Sequence, residues 1–132
     1  NPSKLIMGIG AYGKSYTLAN PLSHEIGAPT AGPGLPGPES QTAGILTFAE
    51  ILALENSGWA NQWSEEQQVP YSYHDNQWVG YDNIQSVKRK VSFAKNVALG
   101  GVMIWSVDMD DPRGRQGKEF PIVTTINELI KN

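Results

Sequence analysis

The chain has 132 residues, a mass of 14.4 kDa and 39% hydrophobic residues, which suits one small folded unit. The formal charge of −3 argues against nucleic acid and against an anionic membrane surface as partners. With no Cys and only two His, the sequence predicts no structural metal site and no cofactor. No apolar run is long enough to predict a membrane-spanning helix.

Charge divides the chain into two parts. Residues 1–82 carry two basic and eight acidic side chains, whereas residues 83–132 carry eight basic and five acidic. This difference indicates two modules. Apolar runs at residues 4–10 and 101–107 lack a helical period, so each predicts a buried strand of a parallel sheet.

The segment between these two runs predicts an inserted α+β piece. Residues 20–44 contain five of the nine Pro and five of the fourteen Gly, which predicts a turn-rich excursion. Helical spacing of apolar residues from Ile45 to Leu54 predicts a helix, on which Glu50 is expected to be solvated. Aromatic and β-branched residues over 59–81 predict two or three antiparallel strands with a hairpin at Asp75-Asn76.

Two further helices complete the predicted elements. Apolar residues from Ile84 to Ala98 recur on one helical face, and a last helix begins near Pro121 with Ile130 directed inward. Without the inserted piece the order is strand, helix, strand, helix. The sequence therefore predicts an α/β unit of a parallel sheet that carries an α+β insertion.

The sequence from Gly8 to Gly13 fits the pattern G-x-G-x-x-G directly after a predicted strand. Dinucleotide binding needs a helix N-terminus at this turn, facing the pyrophosphate. Here residues 14–19 continue as a second extended stretch. We interpret the glycines as positions of close backbone packing at a strand end.

An acidic cluster, Asp108, Asp110 and Asp111, follows the second apolar run. It begins like a calcium loop, but Pro112 and Arg113 stand where a further ligand and the turn glycine belong. We expect these carboxylates to cap a helix or to bond a loop. The alternative is that they face a ligand cleft at the end of a parallel strand.

The sequence also contains four Trp and five Tyr. Trp59, Trp63 and Trp78 are interpreted as packing residues of the small insertion, with ligand contact as the alternative. Trp105 ends a predicted strand, where its ring would form an apolar platform for a flat ligand such as a sugar. No residue pattern predicts a catalytic group in this chain.

Several segments together resemble the C-terminal part of a glycoside hydrolase family 18 chitinase or chitinase-like lectin. They are KLIMGIGAYGKSYTL (4–18), GAP (27–29), VPY (69–71), NQWVGYD (76–82) and GGVMIWSVDMDD (100–111). The resemblance implies the C-terminal quarter of a (β/α)8 TIM barrel with an inserted small α+β domain. Residues 1–15 and 83–132 would supply barrel strands seven and eight with their helices, and residues 16–82 the chitinase insertion domain.

The resemblance also implies substrate-binding residues. The matching groove positions are Tyr12, Met103 and Trp105, the last as the floor under the sugar at the cleavage point. At three other groove positions this sequence departs from the family: Lys14 replaces an arginine, Thr42 a glutamate and Ile45 a methionine. Lys14 keeps the charge of arginine but not its bidentate fork.

The family's catalytic signature, D-x-x-D-x-D-x-E, is absent from this sequence. In the family its Glu is the general acid, so this chain alone is expected to be inactive. The resemblance implies a groove-forming portion that binds chitin or chito-oligosaccharides, with hydrolysis only when it is joined to the catalytic half. The alternatives are a chitinase-like lectin and a stand-alone interaction or matrix module. Secretion is also implied, as is a partner: the N-terminal barrel half or a second copy that covers open strand edges.

Overall fold

The computed structural model describes residues 1–131, which form two sheets and three helices. The strands are β1 (Ile6–Gly10), β2 (Tyr12–Leu18), β3 (Thr30–Pro33), β4 (Ile45–Thr47), β5 (Ala60–Ser64), β6 (Val69–His74), β7 (Gln77–Gly80) and β8 (Gly101–Trp105). The helices are α1 (Phe48–Asn56), α2 (Ile84–Asn96) and α3 (Pro121–Lys131).

The first sheet is the parallel pair β1 and β8, in the register Ile6↔Gly101 to Gly10↔Trp105. The second sheet is antiparallel and has the order β3-β2-β7-β6-β5, with β4 also pairing with β2. Only Ala11 separates β1 from β2, so the two sheets are joined directly: its N–H donates to the Trp105 carbonyl at 2.8 Å. The end of the parallel pair is therefore fixed against the start of the antiparallel sheet.

One hydrophobic core runs through both parts. Helix α1 begins at a capping box, in which Thr47 accepts from the Glu50 N–H and the Glu50 carboxylate accepts from the Thr47 N–H. Its buried residues Phe48 and Ile51 belong to the same cluster as Val79 of β7. The cluster continues to α2 and α3, so the antiparallel sheet and the parallel pair share one packed interior.

The parallel pair leaves much apolar surface open. Within residues 1–131, β1 and β8 pair only with each other, so each has a second edge without a strand partner. Leu5 and Ile6 are 60% and 56% exposed. Among the described helices, none is long and apolar enough to cross a bilayer.

Most predicted elements are confirmed, including the extended stretch after Gly13, the hairpin at Asp75-Asn76 and the helix from Pro121. Three strands lie in residues 59–81, the upper of the two numbers expected. The segment 20–44 is turn-rich, as predicted, but it also contains the short strand β3.

Several predictions were wrong. Ile45 and Leu46 lie in β4 and not in the following helix, because they pair with β2. Glu50 is buried, because it bonds the loop before β4 as well as its own helix end. Helix α2 ends at Asn96, and Ala98 is exposed with a φ of 54°. Ile130 is 54% exposed, since no described element covers that side of α3.

The extent of the two apolar runs also differs from the prediction. The first strand begins at Ile6, after a short 3₁₀ turn over Pro2–Lys4, and the second ends at Trp105, before a 3₁₀ turn over Val107–Met109. Neither strand is fully buried in this chain, because one face of the pair has no covering layer among the described residues.

Candidate functional site

The candidate site is the face of the parallel pair on which Met103 and Trp105 lie. Side chains alternate along a strand, so these two residues share one face of β8. They are 47% and 66% exposed, the latter an unusually large value for a tryptophan. Their partners on β1 are Gly8 and Gly10, whose lack of a side chain makes room on this face for larger neighbours.

Each glycine is covered by a larger side chain. A Cβ added at Gly8 would lie 3.5 Å from the Met103 Cε, so the thioether covers that position. One added at Gly10 would lie 3.1 Å from Cε1 of Tyr12, so the phenol ring lies over Gly10. Because Gly10 is the register partner of Trp105, the two aromatic residues are neighbours at the ends of β1 and β8.

The start of the antiparallel sheet adds a second group of predicted residues. The Lys14 Nζ lies 5.7 Å from the centre of the Tyr12 ring, a cation–π contact. Lys14 pairs with Ile45 across the β2–β4 ladder, so Ile45 is directly beside it. Tyr12, Lys14 and Ile45 therefore form one continuous patch.

Thr42 differs from the other five predicted residues. It is exposed in the turn before β4, and its hydroxyl donates to the Ser40 carbonyl at 2.9 Å. The hydroxyl hydrogen of Thr42 is therefore already donated within the turn. Its carbonyl accepts from the Ile45 N–H at 3.4 Å, which links the turn to the patch only through the backbone.

None of these six residues lines the principal apolar cavity of the described residues. A cavity of about 400 Å³ lies elsewhere, between α1 and the loop over residues 35–39, with mostly apolar walls that include Trp59 and Leu54. The predicted site is an open surface at the edge of the parallel pair. Such a surface can bind a ligand by stacking and edge contacts, while a deep groove needs further walls.

The acidic cluster after β8 has a structural role. The Asp110 carboxylate is fully buried and accepts from the Ile122 and Val123 N–H groups at 3.1 and 3.0 Å, at the start of α3. Asp111 accepts from the Arg115 and Gln116 N–H groups at 3.0 and 2.9 Å. These bonds fix the loop that follows Trp105. Residues 1–131 contain no group of three or more His, Cys, Asp or Glu side chains placed to hold a metal ion.

The sequence analysis misjudged Glu50, whose carboxylate holds the loop at residues 39 and 40 before β4. Burial raises its pKa, but hydrogen bonds from the Thr47, Glu39 and Ser40 N–H groups outweigh burial and leave that pKa below its ordinary value. The spacing Thr47-x-x-Glu50 is the signal that could have identified it, since a threonine three residues before a glutamate marks a capping box.

Glu55, on the same helix, has the opposite shift. Burial raises the pKa of its carboxyl group, which accepts a hydrogen bond from the Tyr81 hydroxyl. Tyr81 is also bonded to the buried Ser72 hydroxyl, 3.0 Å away. This network connects α1 to β6 beneath the antiparallel sheet.

Comparison with known proteins places this geometry in a family. The sequence profile of the glycosyl hydrolases family 18 matches residues 1–110. Human chitinase-3-like protein 2 is 43% identical over 129 residues, which cover 96% of this chain and 33% of that protein. Mouse chitotriosidase-1 is 40% identical over 132 residues, covering 97% of this chain and 27% of that protein.

Solved structures agree. Human YKL-39, described as a pseudo-chitinase with retained chitooligosaccharide binding, superposes with a TM-score of 0.94 at 42% identity, over 100% of this chain and 36% of that one. A Group IV chitinase of Ostrinia furnacalis superposes with a TM-score of 0.96 at 34% identity, over 99% of this chain and 36% of that one.

The chain spans about a third of the length of these relatives, and its mixed α/β fold is a partial piece of a TIM barrel. The profile match over residues 1–110 and the relatives above 40% identity agree with the motifs in the sequence. The chain belongs to glycosyl hydrolase family 18.

Proposed function

We propose that this chain forms the C-terminal quarter of a (β/α)8 barrel that binds β-1,4-linked N-acetylglucosamine chains, and that it supplies one wall of the binding groove. Residues 1–15 and 83–132 are barrel segments in this proposal, and residues 16–82 form the inserted α+β domain. The substrate-binding residues are Tyr12, Lys14, Met103 and Trp105, with Ile45 and Thr42 on the side of the insertion.

The observation that carries the proposal is the exposed Trp105 ring beside Tyr12. A sugar ring has an apolar C–H face and a polar rim, so an indole face held at a strand end suits it. The ring is 66% exposed and shares its face of β8 with Met103, which is 47% exposed, so both side chains are free to contact a ligand.

The open strand edges support a partner for this chain. β1 and β8 have unpaired outer edges among the described residues, and Leu5 and Ile6 are exposed beside them. The remaining barrel strands are the proposed partner, with self-association as the alternative. Size-exclusion chromatography with light scattering tests this point. A soluble monomer of this chain with a cooperative melt would contradict it.

Hydrolysis requires residues outside this chain. The sequence contains no D-x-x-D-x-D-x-E motif, so any general acid must come from the other part of the barrel. A chitinase-like lectin is the second candidate, and the likeness to a pseudo-chitinase with retained chitooligosaccharide binding favours it as much as an active enzyme. A hydrolysis assay on the complete barrel separates the two. Secretion is part of either proposal.

The binding role is tested by Trp105→Ala in the complete barrel. We expect chito-oligosaccharide binding to weaken by about 1–3 kcal/mol in titration calorimetry, the range for loss of a stacked platform. Trp63→Ala is the matched control, because Trp63 lies on β5, away from the candidate site. Unchanged affinity of Trp105→Ala would remove the platform role.

A further inference from the structure

The face of the antiparallel sheet opposite α1 carries several aromatic side chains, of which Tyr16 is exposed and the others are half-buried. Tyr16 of β2 pairs with Trp78 of β7, and Trp78 pairs with Tyr73 of β6. Tyr71 lies two residues before Tyr73 and therefore shares its face. The His24 ring stacks on Tyr73 with the centroids 3.8 Å apart and covers it. We call Tyr16, Trp78 and Tyr71 the aromatic row. Helix α1 packs against the other face of the sheet, where Val79 is fully buried.

Trp78 lies flat on this face. A Cβ added at Gly80 would come within 3.0 and 3.1 Å of Cη2 and Cζ3 of the indole, so the ring covers the glycine. The Trp78 Nε1–H donates to the His24 carbonyl at 3.0 Å, which fixes the ring and satisfies its polar group. The Tyr71 ring lies 24° from parallel to it, with the centroids 5.5 Å apart.

The row is continuous with the patch at the start of β2. Gly80 pairs with Lys14, and Lys14 contacts the Tyr12 ring. The indole of Trp78 therefore lies next to Lys14, about 7 Å beyond Tyr12 along the strand at roughly 3.3 Å per residue. Tyr16, at 39% exposure, extends the same face further.

We infer that the aromatic row, with Trp78 at its centre, is an additional sugar-binding surface that holds the distal units of a long β-1,4-linked N-acetylglucosamine chain. The inference rests on the proposed function, because the chain would reach the row from the groove residues Tyr12 and Lys14. A ring already held by a hydrogen bond loses little conformational entropy when a ligand stacks on it. The row therefore favours long oligomers over short ones.

The test compares two ligands in the complete barrel, N,N′-diacetylchitobiose and chitohexaose. We expect Trp78→Ala to weaken chitohexaose binding about three- to tenfold and to leave chitobiose binding unchanged. The inference requires that a disaccharide seated at Trp105 ends short of Trp78 and that a hexasaccharide extends to it. An equal loss for both ligands, or no loss for either, would overturn the inference.

Two further variants protect the test against misfolding. Gly80→Ala keeps every aromatic ring but places a Cβ 3.0 Å from the indole, so the ring has to shift by a few tenths of an ångström, and chitohexaose binding should weaken less than in Trp78→Ala. Trp63→Ala changes the same residue type on the opposite face of the sheet and should affect neither ligand. A selective loss in Trp63→Ala, or a larger loss in Gly80→Ala than in Trp78→Ala when both variants melt like the wild type, would also overturn the inference.

The proposed function and this inference fail in different ways. If Trp105→Ala changes neither affinity, the groove proposal fails, whatever Trp78→Ala does. If Trp105→Ala weakens both ligands and Trp78→Ala weakens neither, the groove stands and the additional surface does not exist.

Discussion

Replacement of Glu50 by alanine should destabilise the insertion more than any surface substitution. The carboxylate is 5% exposed and accepts from the Thr47, Glu39 and Ser40 N–H groups at 2.8, 3.0 and 3.3 Å. It is thus the common acceptor for the start of α1 and for the loop that precedes β4. Removing it leaves three backbone donors without an acceptor.

The expected loss of unfolding free energy is about 3–4 kcal/mol. A hydrogen bond to a charged group contributes about 1.5–3 kcal/mol, but water can replace part of the loss at Glu39 and Ser40, near the surface. The Thr47 donor is buried, so its loss is complete. Because the folded pKa of Glu50 is lowered, its contribution is present above the ordinary glutamate pKa and is lost as pH falls through the folded value.

Amide hydrogen exchange in the complete barrel, in which the stability of all the following variants is also measured, reports this effect locally. We expect the Glu39 and Ser40 amides to lose protection against exchange in Glu50→Ala. Urea denaturation should show a loss of unfolding free energy of about 3–4 kcal/mol. Glu66→Ala, at an exposed position of a turn, is the matched control. A loss below 1 kcal/mol, or unchanged exchange at residues 39 and 40, would refute the anchoring role.

Three other changes test the same physical reasoning. Glu55→Gln should increase the free energy of unfolding, relative to the wild type, more at pH 7 than at pH 4. Burial raises the folded pKa of Glu55, so the stability that its carboxyl group contributes is present below the unfolded pKa and is lost as pH rises through the folded pKa. Parallel urea titrations of both proteins at the two pH values measure this, and an equal effect of the substitution at both would contradict it. Asp110→Asn should lower the free energy of unfolding, measured in thermal melts, by about 1–3 kcal/mol, because two N–H groups at the start of α3 lose their charged acceptor. A change below about 0.5 kcal/mol, the range of an ordinary surface substitution, would contradict this role. Gly37→Ala should lower the melting temperature, since a Cβ there would lie 1.8 Å from a Glu50 oxygen. Gly32→Ala is the control, because a Cβ at that position has open space around it. Equal melting temperatures of the two variants would contradict the prediction.

The sequence predicted the order of the elements well because the signals were local. The apolar runs around Ile9 and Ile104, the turn at Asp75-Asn76 and Pro121 at a first helical position all act through neighbouring residues. Ile45 was assigned to a helix because its apolar spacing suits either structure, and only pairing with β2 decides between them. The spacing of apolar residues along the sequence carries no information about such a long-range contact.

The candidate site was predicted in part, and chiefly through family resemblance. Trp105 at a strand end was found from the sequence, whereas the position of Lys14 beside Ile45 depends on the β2–β4 register. The flat orientation of Trp78 over Gly80 is a tertiary feature that aromatic content alone did not indicate. Glu50 was misjudged because helical position says nothing about a loop that returns from the preceding segment.

The four tryptophans allow one direct test of the central claim that this chain forms a sugar-binding wall. In the complete barrel with ¹⁵N-labelled tryptophan, we would follow the indole N–H signals during titration with chitobiose and then with chitohexaose. The account predicts that the Trp105 signal shifts with both ligands, that Trp78 shifts only with chitohexaose, and that Trp59 and Trp63 do not move. A Trp105 signal unchanged at saturating ligand would contradict the account.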